Sequence, residues 1–160
     1  MIVLPNEQTA AWCRQHQISL NEYGLPEKSN CDSEFTIPVD AQHRVLLVSQ
    51  TMQPFANESV FLVWFNDWSV WPSGQRMHVF DRFRMSYGET RWLIHSPGHV
   101  FDQSEIEDAI SFVTLAVLFL WDCYIVTPGR SKLLFFSHDE FGLMKGLNVN
   151  VGELSGRSLT

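Results

Sequence analysis

The chain has 160 residues, with 11 Lys and Arg against 18 Asp and Glu, a formal charge of −7. That balance argues against binding nucleic-acid phosphates, which call for Lys and Arg, and suits a basic partner or plain solubility. A chain that is 45% hydrophobic and 13% aromatic is not disordered, and its size is that of one domain able to bury a core without staples.

Met1 to Glu7 holds no basic region and no long apolar run, so no signal peptide is expected. Residues 6–16 form a first helix, with Pro5 and Asn6 at its entrance and Ala10, Ala11 and Cys13 compatible with it. Residues 17–34 are polar and turn-rich. A connection that long either packs down or carries a function. Residues 35–39 alternate as a strand, and Pro38, which cannot donate to a ladder, puts that strand at an edge.

Asp40 then caps a helix whose apolar face is Ala41, Val45, Val48 and Met52, ending before Pro54. Residues 59–65 (Ser-Val-Phe-Leu-Val-Trp-Phe) read as a central strand. Beyond it, residues 66–73 either continue the strand or fold Trp68 and Trp71 over the sheet edge. Ser73 caps a helix with a stripe of Met77, Phe80, Phe83 or Arg84, and Tyr87, closed by a glycine at 88. Residues 91–95 read as a short strand, and Ser96-Pro97-Gly98 as a turn.

The stretch 101–140 organises the rest. Asp102 or Ser104 can cap a helix, each with a glutamate three residues on, and four acids between 102 and 108 suit the positive helix end. Ala109 to Trp121 carries no charge. That run of 13 residues is too short to cross a membrane, which takes roughly 20, so residues 104–121 are expected as a buried helix. Residues 123–127 and 132–136 are strands joined by Pro128-Gly129. So short a connection makes them antiparallel neighbours, and their apolar character places them inside the sheet. The expected fold is α+β, one two-layer domain over residues 1–146. Its mixed or antiparallel sheet has four to five strands, with the central helix on one face. A weakly ordered tail, 147–160, follows or lies across a partner.

Cys13, Cys31 and Cys123 are odd in number and widely spaced, as in a reduced, cytoplasmic protein. Ser137-His138-Asp139-Glu140 is the sharpest polar cluster. His138, Asp139 and Glu140 at a strand end can bind a metal or move a proton, but Ser137 with Glu140 also has the spacing of a capping box for a short helix, which is the favoured reading. His95 and His99 are four apart, yet Pro97-Gly98 forbids a helix between them. A zinc site of His95, His99 and His138 would need tertiary convergence. Histidines satisfying backbone carbonyls are the plainer expectation. Arg76 and Arg84 lie near one another on a helix and could hold a carboxylate or phosphate, although pairing of the arginines with Asp81, Glu89 or the 102–108 acids is favoured. Trp64, Trp68, Trp71 and Trp92 exceed what one core needs and mark a binding surface, with at least two expected to cover the sheet edge. No G-x-S-x-G, P-loop or G-x-G-x-x-G is present; no metal site is assigned and no cofactor is expected.

The order Trp71-Pro72-Ser73, Pro97-Gly98-His99-x-Phe101, Trp121-Asp122 and Ser137-His138-Asp139-Glu140 resembles a group of small uncharacterised bacterial proteins, over about residues 59–141. The resemblance implies a bacterial origin and a single compact domain, and brings no activity with it. The leading functional expectation is a non-enzymatic protein-binding module, such as an immunity-type inhibitor of a basic toxin, using acidic and aromatic surface. Trp68, Trp71, Arg76 and Arg84 are its candidate binding residues. The rival is a small hydrolase-like or metal-binding domain using His99, His138, Asp139 and Asp122. A third option is a homodimer paired through a strand edge or the tail. Neither nucleic acid nor membrane is expected as a partner.

Overall fold

A computed structural model describes residues 1–67 and 77–151. Among these residues the strands are β1 (Ile2–Leu4), β2 (Ser33–Thr36), β3 (Val60–Asn66), β4 (Gly98–Asp102), β5 (Asp122–Val126), β6 (Leu133–Phe136) and β7 (Phe141–Lys145), and the helices α1 (Asn6–Gln15), α2 (Ala41–Met52), α3 (Met77–Met85) and α4 (Ile106–Leu118). The strands form one open sheet in the order β1-β4-β3-β5-β6-β7-β2, antiparallel at every pairing. The α+β class is as expected, but seven strands replace the four to five anticipated.

The additional strands are the ones whose local signal is weak. β1 is only three residues long and stops at Pro5. β4 begins inside the expected Ser96-Pro97-Gly98 turn, and residues 93–95, expected as a strand, are a single 3-10 turn. β7 replaces the short helix expected after Glu140. Two glycines are there for room. A Cβ at Gly98 would lie 2.2 Å from Thr9 Oγ1, and one at Gly142 would lie 2.1 Å from the Phe35 ring. Close packing of α1 on β4 and of Phe35 on β7 thus requires glycine at both positions, of which the sequence reads only Gly98 as part of a turn.

Register sorts each strand's side chains onto two faces. Val63, Ile125, Leu134 and Met144 are successive partners and face α2, α3 and α4. Trp64, Tyr124, Phe135 and Leu143 are the next row and face the other way, where α1 and the 17–34 segment cover them. The sheet is therefore covered on both faces, which corrects the two-layer expectation. The 17–34 segment packs down as a polar strap: Asn21 Oδ1 accepts from the backbone N–H of Tyr23 (2.9 Å) and Leu25 (3.1 Å), and a bridge joins Leu20 to Pro26.

The expected capping box is present at Asp102 and Glu105, although it opens a 3-10 turn (Gln103–Glu105) that leads into α4. α4 buries Ala109, Phe112, Val113, Ala116 and Val117, while Glu107 and Ser111 are exposed and its remaining flank is half-buried. The helix is thus not water-excluded all round, because none of the described residues covers its outer side. Phe112 sits among Phe80, Phe83, Tyr87, Phe101 and His99, with ring centroids 4.9–5.7 Å away. Burying such a ring contributes roughly 1.5–3 kcal/mol. Leu120 adopts φ +57, and the N–H of Trp121 bonds Ala116 O at 3.0 Å, closing the helix. That turn drops Trp121 into the core and starts β5 at Asp122.

β5 and β6 are antiparallel neighbours in mid-sheet, and β2 is an edge strand with Pro38 just beyond it, both as the sequence implies. α2 is rotated from its expected face. Arg44, Leu47, Val48, Thr51 and Met52 are buried, and Val45 is exposed. The cause is Arg44, whose Nε donates to Pro38 O at 2.6 Å and whose Nη2 donates to Glu140 at 2.9 Å. Leu147 and Val151 rest against the helix-side core, and residues 152–160 lie outside the described residues.

Candidate functional site

The polar residues singled out in the sequence fall into two separate places. The first is sealed. Arg84 on α3 is fully buried, and its Nε donates to His99 Nε2 at 3.0 Å. Its Nη1 donates to Asp81 (3.0 Å) and Arg91 O (2.9 Å), and its Nη2 to Ser96 O (2.8 Å). With Nε2 accepting, His99 is the tautomer whose Nδ1–H donates to Pro97 O at 3.1 Å. Burial, reinforced by the Arg84 charge, pushes its pKa down to about 3. The cluster fastens α3 and the 89–98 segment to β4, and leaves neither His99 nor Arg84 free for a ligand.

Arg91 pairs with Glu89 at 2.6 Å, and that hydrogen bond holds Glu89 down at about 2 despite its partial burial. The two arginine pairs are those the sequence favoured. His95 is exposed on its 3-10 turn. His99 lies on β4 and His138 follows β6, with β3 and β5 between them. Three strand spacings, roughly 14 Å, keep the two imidazoles from sharing an ion or a proton. Trp64 and Trp121 are buried and Trp92 is 62% exposed. Trp68, Trp71 and Arg76 lie outside the described residues, as does the question of whether 68–73 continues β3.

The second place is open. The 137–140 stretch is not a helix cap but the turn of the β6–β7 hairpin, with Ser137 N–H bonded to Phe141 O at 2.8 Å. Strand pairing on both sides overrides the local capping signal. Glu140 is turned away to Arg44, and Asp139 is exposed. His138 points back to the start of β5. Asp122 Oδ1 accepts from both its backbone N–H (2.8 Å) and its Nδ1 (2.7 Å), and its Nε2 lies 3.5 Å from Asp139. Burial raises the Asp122 pKa, and the bonds from His138 offset only part of that. Burial opposes charge on His138 too, but the hydrogen bond and charge of Asp122, helped by Asp139 and Asp67, outweigh it and raise the imidazole pKa.

Asp67 completes this corner. It follows directly after β3 in the left-handed region (φ +47), a conformation Asp tolerates, and Asn66 Nδ2 donates to it at 3.1 Å. Asn66 pairs with Asp122 across the β3–β5 ladder, two residues along from the Trp64–Tyr124 pair, so all four share one face. On that face lies a cavity of about 830 Å³. Trp64 and Tyr124 floor it, Asp67 and Asp122 close one end, Glu7 of α1 forms a wall, and Tyr23 and Lys28 come from the 17–34 strap.

No protein-family model, curated protein or solved structure matches this chain. The functional reading therefore rests on the chemistry of the cavity. Among the described residues, three carboxylates and one ammonium line it, and that ammonium is already placed: Lys28 Nζ sits 4.1 Å from the Phe135 ring centroid and 5.8 Å from that of Tyr124. Sequence reasoning reached Asp122, His138 and Asp139 but missed Asp67, Glu7 and Tyr23. The available signal was the alternation around Trp64 and Tyr124, which puts residues 66 and 122 on one face once the two strands are paired.

Proposed function

We propose that this protein is a non-enzymatic binding module that takes a cationic group of a basic protein partner into the cavity between α1, the 17–34 strap and the sheet. An immunity-type inhibitor of a basic toxin is one form of that reading. The observation that carries it is the lining, with Glu7, Asp67 and Asp122 set around Trp64 and Tyr124. Carboxylates supply charge-assisted hydrogen bonds to an ammonium or guanidinium, and aromatic faces attract the same cation. Lys28 over Phe135 is an internal instance of that attraction. The cavity falls within the roughly 300–1,000 Å³ of ligand pockets, and the net charge of −7 steers a basic partner toward the protein.

Calorimetric titration with a short Lys- and Arg-rich peptide, against the same peptide with Gln at those positions, tests this. Binding of the basic peptide alone is expected, weakened roughly tenfold by Glu7→Gln with Asp67→Asn, and also by Tyr23→Ala at a residue that is 79% exposed. Equal binding of the two peptides, or none, overturns the reading.

One observation favours a second, hydrolase-like reading. His138 Nδ1 is held by Asp122 at 2.7 Å, the arrangement that orients a general base. His99 has no part in it. Turnover of ester or phosphoester probes that disappears in His138→Gln would support this reading, and an inert wild-type protein would end it.

A further inference from the structure

We propose that Asp67, Asp122 and His138 bind one divalent transition-metal ion at the carboxylate end of the cavity. The three come from the end of β3, the start of β5 and the turn after β6, so the sheet itself converges them. One ligand atom from each lies within 4.8 Å of the others. Neighbouring ligands of an ion with bonds of about 2.1 Å stand about 3.0–3.4 Å apart, so a closure of up to about 1.4–1.8 Å completes the set. Asp67 can supply that movement, because it is exposed at the end of its strand.

The inner pair is closer still. His138 Nδ1 and Asp122 Oδ1 are 2.7 Å apart, and two adjacent ligands of one ion stand about 3 Å apart. The ion would replace the proton these atoms now share, with His138 binding as the neutral imidazole. Asp122 is more than nine-tenths buried and lines the cavity, so its charge has little water to stabilise it. With Asp67 and Asp139 beside it, three carboxylates surround the His138 imidazole, and a divalent cation is the species that balances them. Cys123, the neighbouring thiol, faces the helix-side core and is out of the set.

One imidazole and two carboxylates select Mn²⁺, Fe²⁺, Co²⁺ or Zn²⁺ over thiophilic Cu⁺. Three protein ligands leave coordination positions open toward the cavity, as in sites that exchange a water for a ligand group. The ion site does not depend on the proposed partner. Its occupancy would cancel charge at one end of the cavity, so an ion and a cationic side chain compete there.

The test is calorimetric titration of chelator-stripped protein with Mn²⁺, Co²⁺ and Zn²⁺, together with the visible spectrum of the Co²⁺ form. One ion per chain is expected, with affinity better than about 1 mM for at least one of the three. Asp67→Asn and His138→Gln should each weaken it by roughly tenfold or more, while Glu34→Gln, exposed on the edge strand β2, leaves it within about twofold. Asp67 is exposed, and metal-free unfolding curves of each variant confirm that the fold is retained. No saturable binding by any of the three ions overturns the proposal, as does binding that Asp67→Asn and His138→Gln both leave unchanged. Basic-peptide binding without ion binding removes this inference alone, and ion binding without peptide binding removes only the partner reading.

Discussion

Arg84 Nε donates to His99 Nε2 at 3.0 Å, and both side chains are completely buried. Both side chains can carry positive charge, so the contact is compatible with burial only because His99 stays neutral and Asp81 balances the arginine. That one relationship turns two residues that look functional in the sequence into a fastening between α3 and β4.

Removing the guanidinium would strand the groups it serves. Arg84→Met should destabilise the protein by about 3–5 kcal/mol, because Asp81 would be left charged and buried without its partner. Urea unfolding of the variant measures this, and a loss below about 1 kcal/mol would show that the cluster is not structural.

His99 also sets a pH dependence. Above its ordinary value of 6.5 both folded and unfolded chains hold a neutral imidazole, and His99 adds nothing. Below 6.5 the unfolded chain takes up a proton that the folded chain refuses until about pH 3, because burial and then the charges of Arg84 and Arg91 disfavour the imidazolium, with the Pro97 hydrogen bond and Glu89 opposing them only in part. Stability should therefore fall as the pH drops through this window, by up to about 1.4 kcal/mol per pH unit from this group. Imidazole NMR shifts should show His99 untitrated down to pH 4. A midpoint near 6 would be incompatible with the network.

Gly142→Ala should cost about 1–3 kcal/mol, because its Cβ would meet the Phe35 ring at 2.1 Å. Phe35 is at the sheet edge on β2, so Phe35→Leu combined with Gly142→Ala should recover part of the loss. Thermal unfolding of both variants checks it. A silent single substitution would contradict the pairing of Phe35 with Gly142 across β2 and β7.

Asp102→Ala should lower stability measurably, since Asp102 is the residue that caps, accepting from Ser104 N–H at 2.8 Å while Glu105 accepts from Asp102 N–H. Ser104→Ala should cost less, as its hydroxyl only donates to the Asp102 carboxylate. Equal effects in denaturant melts would mean that the two residues share the cap.

Most of the helix-side layer was legible in the residues. Asp40 caps α2 through the N–H of His43, Asp102 with Glu105 opens the turn into α4, and the β5–β6 pair follows from a connection too short for anything but antiparallel neighbours. The site was half legible. His138, Asp139 and Asp122 stood out as polar groups beside apolar strands, whereas Asp67 and Glu7 carry no local mark that separates them from ordinary surface acids.

The sequence by itself determined the class, the central helix with its cap, and the strands rich in β-branched and aromatic residues, because each depends on neighbours a few positions away. Only the tertiary structure decided which histidine is sealed and which is open. His99 shares a face with Val63 under the helices beside Arg84, while His138 closes a hairpin against Asp122. The cavity is likewise assembled from α1, the 17–34 strap and the ends of two strands. Pairing between strands far apart in the chain sets which side chains share a face, and that pairing is a property of the whole packed sheet.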